Sequence, residues 1–282
     1  MSTLFIPLTI SFDLSSICGL MASLLIGLSL GLIGGGGSIL TVPVLVYLFG
    51  VDPVLATAYS LFIVGLTSLI GTYPKYREGL VNIKTALIFG APSIAMVFLT
   101  RKYIVPAIPL ELFTTASFAL RKSMLLMLLF AVLMIAASFS MIRDKKSSNS
   151  TVAGNTISFN FPLIMVEGAI VGLLTGLVGA GGGFLIIPAL VLLTKLPMKE
   201  AVGTSLLIIA AKSLIGFLGD LSQQEMDWTL LTMVSSIAVI GIFIGNNWSK
   251  KIDSQKLKKG FGWFVLIMGV YILFKESIGG TH

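Results

Sequence analysis

Long apolar runs broken by short polar stretches dominate the chain. Five such runs precede a polar centre, at about 14–33, 37–49, 54–73, 83–100 and 122–142. Five follow it, at about 161–179, 183–194, 199–218, 228–247 and 260–275. Most approach the ~20 residues that carry a helix across ~30 Å of hydrocarbon at ~1.5 Å per residue. The pattern predicts an all-α integral membrane protein with eight to ten membrane segments. The second run of each half is too short to span as an ordinary helix. It is expected to be a half-helix, a re-entrant element or a tethered short span. Polar residues 143–160 read as the linker between repeat one (1–142) and repeat two (161–282), all within one membrane domain. The second polar break, Arg101–Lys122, contains Pro106 and Pro109 and reads as a loop with some interfacial structure.

The halves are related in sequence. Gly31–Leu48 reads GLIGGGGSILTVPVLVYL and Gly176–Leu193 reads GLVGAGGGFLIIPALVLL, an offset of 176 − 31 = 145 residues. Without a gap, positions 31–71 and 176–216 share 18 identities in 41. Random pairing of apolar segments gives roughly a tenth to a fifth, so an internal duplication is the better reading. Each copy breaks a hydrophobic run with glycines and then a proline, Pro43 or Pro188. Such breaks at matching places in two halves point to a transporter binding site.

Composition agrees. The chain is 56% hydrophobic and 11% charged, against about 25% charged in soluble domains. Residues 1–74 hold only two charges, Asp13 and Asp52. No Lys or Arg precedes Lys75, so the start lacks the basic region of a signal peptide and is expected to stay uncleaved. The net charge of +7 sits in breaks between apolar runs. It reads as topology information, not as a nucleic-acid footprint. Five lysines in the break Asn247–Gly260 place it in the cytoplasm, and the acidic break Gly219–Trp228 suits the outside. If every run crosses, the halves are inverted, with thirteen Lys/Arg inside and five outside. If the short runs are re-entrant, the halves are parallel, and the tally is eleven against seven. The inverted arrangement is favoured. Both place the termini outside.

Little chemistry is available for catalysis. Cys18 is the single cysteine and His282, the last residue, the single histidine. A triad, a zinc cluster or an internal disulfide is therefore out of reach, and the chain is not expected to be an enzyme or to hold a metal or cofactor. No Lys-Ser/Thr follows either glycine cluster, which excludes a phosphate-binding P-loop. Gly34, Gly35, Gly36 and Gly37, with Gly181, Gly182 and Gly183, leave backbone N–H groups open. The helix after each cluster points its positive end toward the same place, which suits an anion. The bland reading is close helix contact. The third runs then offer hydroxyls on first turns: Thr57, Tyr59 and Ser60 in half one, Gly203-Thr204-Ser205 in half two. Their bland role is glue between helices. Lys212 lies deep in the run 199–218, where its repeat counterpart is Thr67. An ionisable residue at that depth is a functional hypothesis by default. Glu200 reads as a helix-start acid, Asp220 and Glu225 as loop acids, and Asp227-Trp228 as a helix cap with an interfacial aromatic.

The paired glycine clusters, Pro43 and Pro188, the Ala-Thr and Gly-Thr-Ser turns and Asp227-Trp228 resemble the TauE/SafE (TSUP) family of sulfite exporter-like membrane transporters. The resemblance covers nearly the whole chain. It implies transport of small, often sulfur-containing anions such as sulfite or organosulfonates. It also implies site residues among Gly34–Gly37, Thr57, Ser60, Gly181–Gly183, Thr204 and Ser205. Half one has Ala58-Tyr59-Ser60 where half two has the more typical Gly203-Thr204-Ser205. Lys212 rests on its depth alone. Together these readings predict a secondary transporter, an exporter of a small anionic substrate by alternating access in the cell membrane. Its flux would be driven by the substrate's own gradient or by coupling to protons. The alternatives are an anion channel or an uptake transporter for another small organic anion. No element of the pattern sets an oligomeric state.

Overall fold

The computed structural model describes residues 14–115, 118–143, 161–193, 196–221, 224–249 and 254–279. Residues 144–160 of the polar linker and 250–253 of the basic break lie outside them. Half one runs α1 (Leu14–Ile33), a 3-10 turn (Gly35–Leu40), α2 (Thr41–Tyr47), α3 (Pro53–Arg77), α4 (Ile83–Leu99), a π turn (Thr100–Ile104) and α5 (Val105–Ala107). A two-stranded hairpin follows, β1 (Glu111–Thr115) antiparallel to β2 (Phe118–Arg121), and then α6 (Lys122–Ile142). Half two runs α7 (Phe161–Val178), α8 (Gly183–Leu193), α9 (Met198–Asp220), α10 (Trp228–Trp248) and α11 (Ser254–Gly279). The all-helical fold expected from the apolar pattern is therefore present, with the hairpin as a small addition inside the polar break. Among the described residues five helical stretches are long and apolar enough to cross a membrane: Pro53–Arg77, Ile83–Ala107, Lys122–Phe139, Met198–Asp220 and Trp228–Trp248.

Local chemistry fixes the starts of these helices. Asp52 accepts from the N–H groups of Val54 (2.8 Å) and Leu55 (3.3 Å), with Pro53 at the first helical position of α3. Asn82 caps α4 by accepting from Thr85 N–H at 3.0 Å. Asp227 caps α10 through Thr229 (2.9 Å) and Leu230 (3.0 Å), as its sequence position suggests. Asn82 and Asp227 are 145 residues apart, so the duplication extends to the caps.

The packing partners exchange with the halves. α1 lies on α10 and α7 on α4; α3 crosses α9 and α6 crosses α11. Directions follow from named contacts. Gly203, near the start of α9, sits against the Leu80 carbonyl, just past the end of α3. Phe62 near the start of α3 stacks on Phe217 near the end of α9, with centroids 5.0 Å apart. α3 and α9 are thus antiparallel. α6 and α11 are antiparallel as well, because Gly262 meets Met141 while Gly269 meets Met134. α1 and α10 run parallel, Gly27 meeting Ala238 and Gly31 meeting Gly245. α7 and α4 repeat this at matching positions, Gly172 meeting Ser93 and Gly176 meeting Thr100. Small residues let the backbones of these parallel pairs touch.

The same contacts give heights. Gly27 lies beside Ala238, halfway along α10. Six more residues carry α1 about 9 Å further. The chain then reverses, and Gly37 returns beside Ile26, Ser29 and Leu30. α1 and α2 therefore make a helical hairpin whose tip lies well past half-height, toward the level at which α10 ends, and α7 and α8 make its counterpart from the other end. The short runs need not cross for the halves to run in opposite directions, because each turns back together with the run before it.

Candidate functional site

The two hairpin tips meet at the α3–α9 crossing. Chain reversal requires left-handed backbone at Gly34 (φ 78°) and Gly179 (φ 72°), positions 145 residues apart. Beyond the turns the backbones touch. A Cβ on Gly183 would come within 2.6 Å of the Gly35 carbonyl carbon and 2.5 Å of Ile209 Cδ1. All seven predicted cluster glycines are buried. Their first role is thus close helix contact. Past the glycines the halves differ. α8 begins directly at Gly183 and runs for 11 residues. In half one a 3-10 turn comes next, and α2 has only 7 residues starting at Thr41. Only half two presents an α-helical N-terminus at its glycine turn; the N–H groups of Leu185 and Ile186 donate to the Gly182 carbonyl at 3.0 and 3.1 Å, which leaves those of Gly183 and Phe184 as the open first-turn donors.

Lys212 is at that turn. It is fully buried, and its ammonium donates to Thr175 Oγ1 at 3.1 Å, its one hydrogen bond among the described residues. A Cβ on Gly182 would lie 2.7 Å from Lys212 Nζ. The ammonium therefore sits between the last turn of α7 and the glycines that start α8. No carboxylate pairs with it among the described residues. An ammonium so placed, out of water and beside a helix N-terminus, attracts a small anion. Thr175 is part of this arrangement. Its only sequence signal is its place one residue before the duplicated segment.

None of the predicted hydroxyls bonds to Lys212, although Thr57 packs against Gly179 of the same turn. Because α3 and α9 are antiparallel, Thr57, Tyr59 and Ser60 lie at one end of the crossing and Thr204 and Ser205 at the other. Tyr59 Oη accepts the N–H of Asp227 at 2.6 Å, and Thr204 Oγ1 accepts the N–H of Asn82 at 2.9 Å. Position 59 corresponds to 204 and 82 to 227, so this is one bond made twice. In each case the third helix of one half holds the capped start of a helix in the other. Ser205 Oγ bonds back to the Val202 carbonyl at 2.8 Å. Ser60 Oγ is buried without a partner, as are Ser68 and Ser213 Oγ, another duplicated pair on the α3–α9 crossing. Gly203 serves the approach of α9 to Leu80.

Two charged residues that the sequence places in loops are buried instead. Arg101 opens the polar break in the sequence pattern. The helix continues past it through the π turn, and Arg101 is fully buried. Its Nη1 donates to Thr57 Oγ1 at 2.9 Å and lies 3.4 Å from Asp220 Oδ2. Asp220 is no loop acid: it is the last residue of α9 and 2% exposed. In repeat register Asp220 corresponds to Lys75 and Arg101 to Asn246. Lys75 reaches α10 at Ser249 Oγ (3.4 Å). The structure thus has a polar cluster at each end of the crossing and Lys212 between them.

Among known proteins, the family described as "Sulfite exporter TauE/SafE" matches residues 19–272. A probable membrane transporter protein of Xylella fastidiosa (strain 9a5c) is 28% identical over 255 residues, covering 89% of this chain and 92% of that protein. Probable membrane transporter protein YdhB of Bacillus subtilis is 27% identical over 257 residues, covering 90% and 99%. A probable membrane transporter protein of Methanocaldococcus jannaschii is 34% identical over 123 residues, 42% of this chain and 46% of that one. No solved structure matches the chain. The chain is a multi-pass membrane transporter and belongs to the TauE/SafE sulfite exporter family.

Proposed function

We propose that the protein exports a small oxyanion, sulfite or an organosulfonate, across the cell membrane by alternating access between two inverted halves. The observation that carries this reading is Lys212. It is a buried ammonium with a single neutral partner, set against the glycine turn that opens α8. The antiparallel α3–α9 and α6–α11 pairs support inversion of repeats one and two about an axis in the membrane plane. Each α1–α2 and α7–α8 hairpin then enters from its own side, and three long helices per half cross. This arrangement keeps thirteen Lys/Arg on the cytoplasmic side and five outside.

The substrate's charge meets Lys212 Nζ and the N–H groups of Gly181 and Gly183, while Gly182 shapes the turn by donating its own N–H to the Ala180 carbonyl at 2.6 Å. Gly34–Gly37 close the site from the opposite hairpin. The hydroxyls of Thr57 and of the duplicated pairs Tyr59/Thr204 and Ser60/Ser205 act at the two ends, where the halves separate and rejoin. An inside-negative potential favours expulsion of an anion by about 2.3 kcal/mol per charge per 100 mV, so export needs no further coupling. Proton coupling would be needed for uptake against that field.

The test is a thermal-unfolding screen of the purified chain against sulfite, sulfate, methanesulfonate and acetate, followed by sulfite flux from proteoliposomes. A ligand that binds the folded state raises its stability by RT ln(1 + [L]/Kd). Stabilisation by sulfite or the sulfonate, with saturable flux, is expected. No stabilisation by any anion, or large unitary currents, refutes the reading.

A further inference from the structure

Arg101 has more hydrogen-bonding capacity than the protein uses. Its guanidinium carries five N–H donors. Nη1 serves Thr57 at 2.9 Å and faces Asp220 at 3.4 Å. Nε and Nη2 have no partner, although the residue is fully buried. Those two nitrogens form the side-on edge of the guanidinium, the fork that matches two oxygens of one oxyanion. Asp220 does not fill the fork, and its Oδ2 makes no hydrogen bond. The ion pair is a long contact on the other nitrogen. Thr100 Oγ1, one residue back on the π turn, is also buried and unpartnered. Single π turns inside helices occur often at functional sites.

Lys122 adds to this. It is 8% exposed and lies within electrostatic reach of Arg101, Asp220 and Asp52. It lines a cavity of about 470 Å³ together with Asp52, Leu110, Glu111, Arg121 and Gln224. Arg101, Arg121 and Lys122 balance Asp52, Glu111 and Asp220, (+3) + (−3) = 0, so the attraction for an anion is local to the open fork of Arg101. The cavity is at the end of the crossing where α3 begins and α9 ends, so it is the vestibule on that side.

We propose that Arg101 forms a second anion station between Lys212 and this vestibule, in which an oxyanion of the substrate takes the Nε–Nη2 fork and displaces Asp220. The station rests on the anion-transport reading and deepens it by assigning an outer stop on the path. Asp220 holds Arg101 in place when the station is empty, and its long contact of 3.4 Å lets an anion replace it. Thr57 holds the guanidinium plane while Asp220 moves away.

The test uses the full chain with the central site weakened by Lys212→Met, and sodium sulfite as probe in thermal unfolding. On that background Asp220→Asn removes the competing carboxylate and should tighten sulfite binding at Arg101 at least about tenfold, one charged contact. Adding Arg101→Gln should abolish that gain. Equal responses with and without Arg101→Gln overturn the station. This comparison stands whatever Lys212→Met does by itself. If that variant leaves sulfite binding unchanged, the central reading fails while the station is still decided by the pair. Where Asp220→Asn does not fold with Arg101 left unpaired, the charge-neutral Arg101→Gln/Asp220→Asn double variant is assayed for sulfite flux in proteoliposomes. A loss of at least about tenfold is expected. Flux within twofold of the parent chain overturns the proposal and assigns the pair to the fold alone.

Discussion

Lys212→Met separates a functional from a structural lysine because the two roles predict opposite signs. Lys212 is fully buried and has one protein hydrogen bond, to the neutral Thr175 hydroxyl at 3.1 Å. A hydrogen bond to a charged group contributes roughly 1.5–3 kcal/mol. Against that stands the desolvation of an ammonium without a counter-ion, several kcal/mol even after relaxation. Methionine has similar length, fills irregular space and carries no charge. Thr175 keeps its bond to the Gly172 carbonyl at 3.3 Å, so no polar group is orphaned. The empty protein should therefore become more stable, by about 1–4 kcal/mol, as when buried ions are replaced by apolar side chains. The sulfite concentration for a half-maximal thermal shift should rise at least about tenfold, equivalent to ~1.4 kcal/mol of lost binding. The assay is detergent-phase unfolding with and without sulfite. A less stable empty protein with unchanged sulfite response would refute the reasoning and make Lys212 a packing element.

Other outcomes rest on the packing, the caps and the topology. Gly35→Ala drives a Cβ into the Gly183 backbone, which cannot rotate away, so it should cost about 1–3 kcal/mol or more and stop transport. Gly260→Ala, with nothing within 4 Å, should be neutral or stabilising in the same unfolding and flux assays. Asp227→Ala and Asn82→Ala each remove a helix cap at a duplicated position and should each lower stability by about 0.5–2 kcal/mol; a cost confined to one of them would show that the halves do not share this device. In a Cys18→Ala background, a cysteine at Gly79 should react with an impermeant thiol reagent only from the cytoplasm and one at Glu225 only from outside. Labelling of both from one side would overturn the inverted arrangement.

The apolar periodicity makes the helices legible, since lipid requires continuous apolar runs and the duplicated register preserves them. The fourth run ends too early in the sequence pattern because Arg101 and Lys102 look like a loop start in one dimension. In three dimensions the helix continues through the π turn, and Arg101 reaches Thr57 and Asp220 from other helices. The α1–α2 hairpin is hidden as long as each run is taken either to cross or not to cross. Its form depends on Gly27 meeting Ala238 and Gly37 returning beside Ile26, contacts made after chain reversal. Tyr59 and Thr204 are visible in the sequence as a duplicated pair of hydroxyl positions. Their use is not, because each bonds the cap of a helix from the opposite half, more than 100 positions away. Lys212 is legible because a charge deep in an apolar run has few bland explanations.

The central claim is that a small oxyanion binds beside Lys212 at the glycine turn between α7 and α8. Selenite has the shape and charge of sulfite, and its selenium scatters anomalously. Diffraction from crystals saturated with selenite should show an anomalous peak within hydrogen-bonding distance of Lys212 Nζ, facing Gly181–Gly183, and no such peak in Lys212→Met crystals. Saturated wild-type crystals with no anomalous density beside Lys212 would contradict the account.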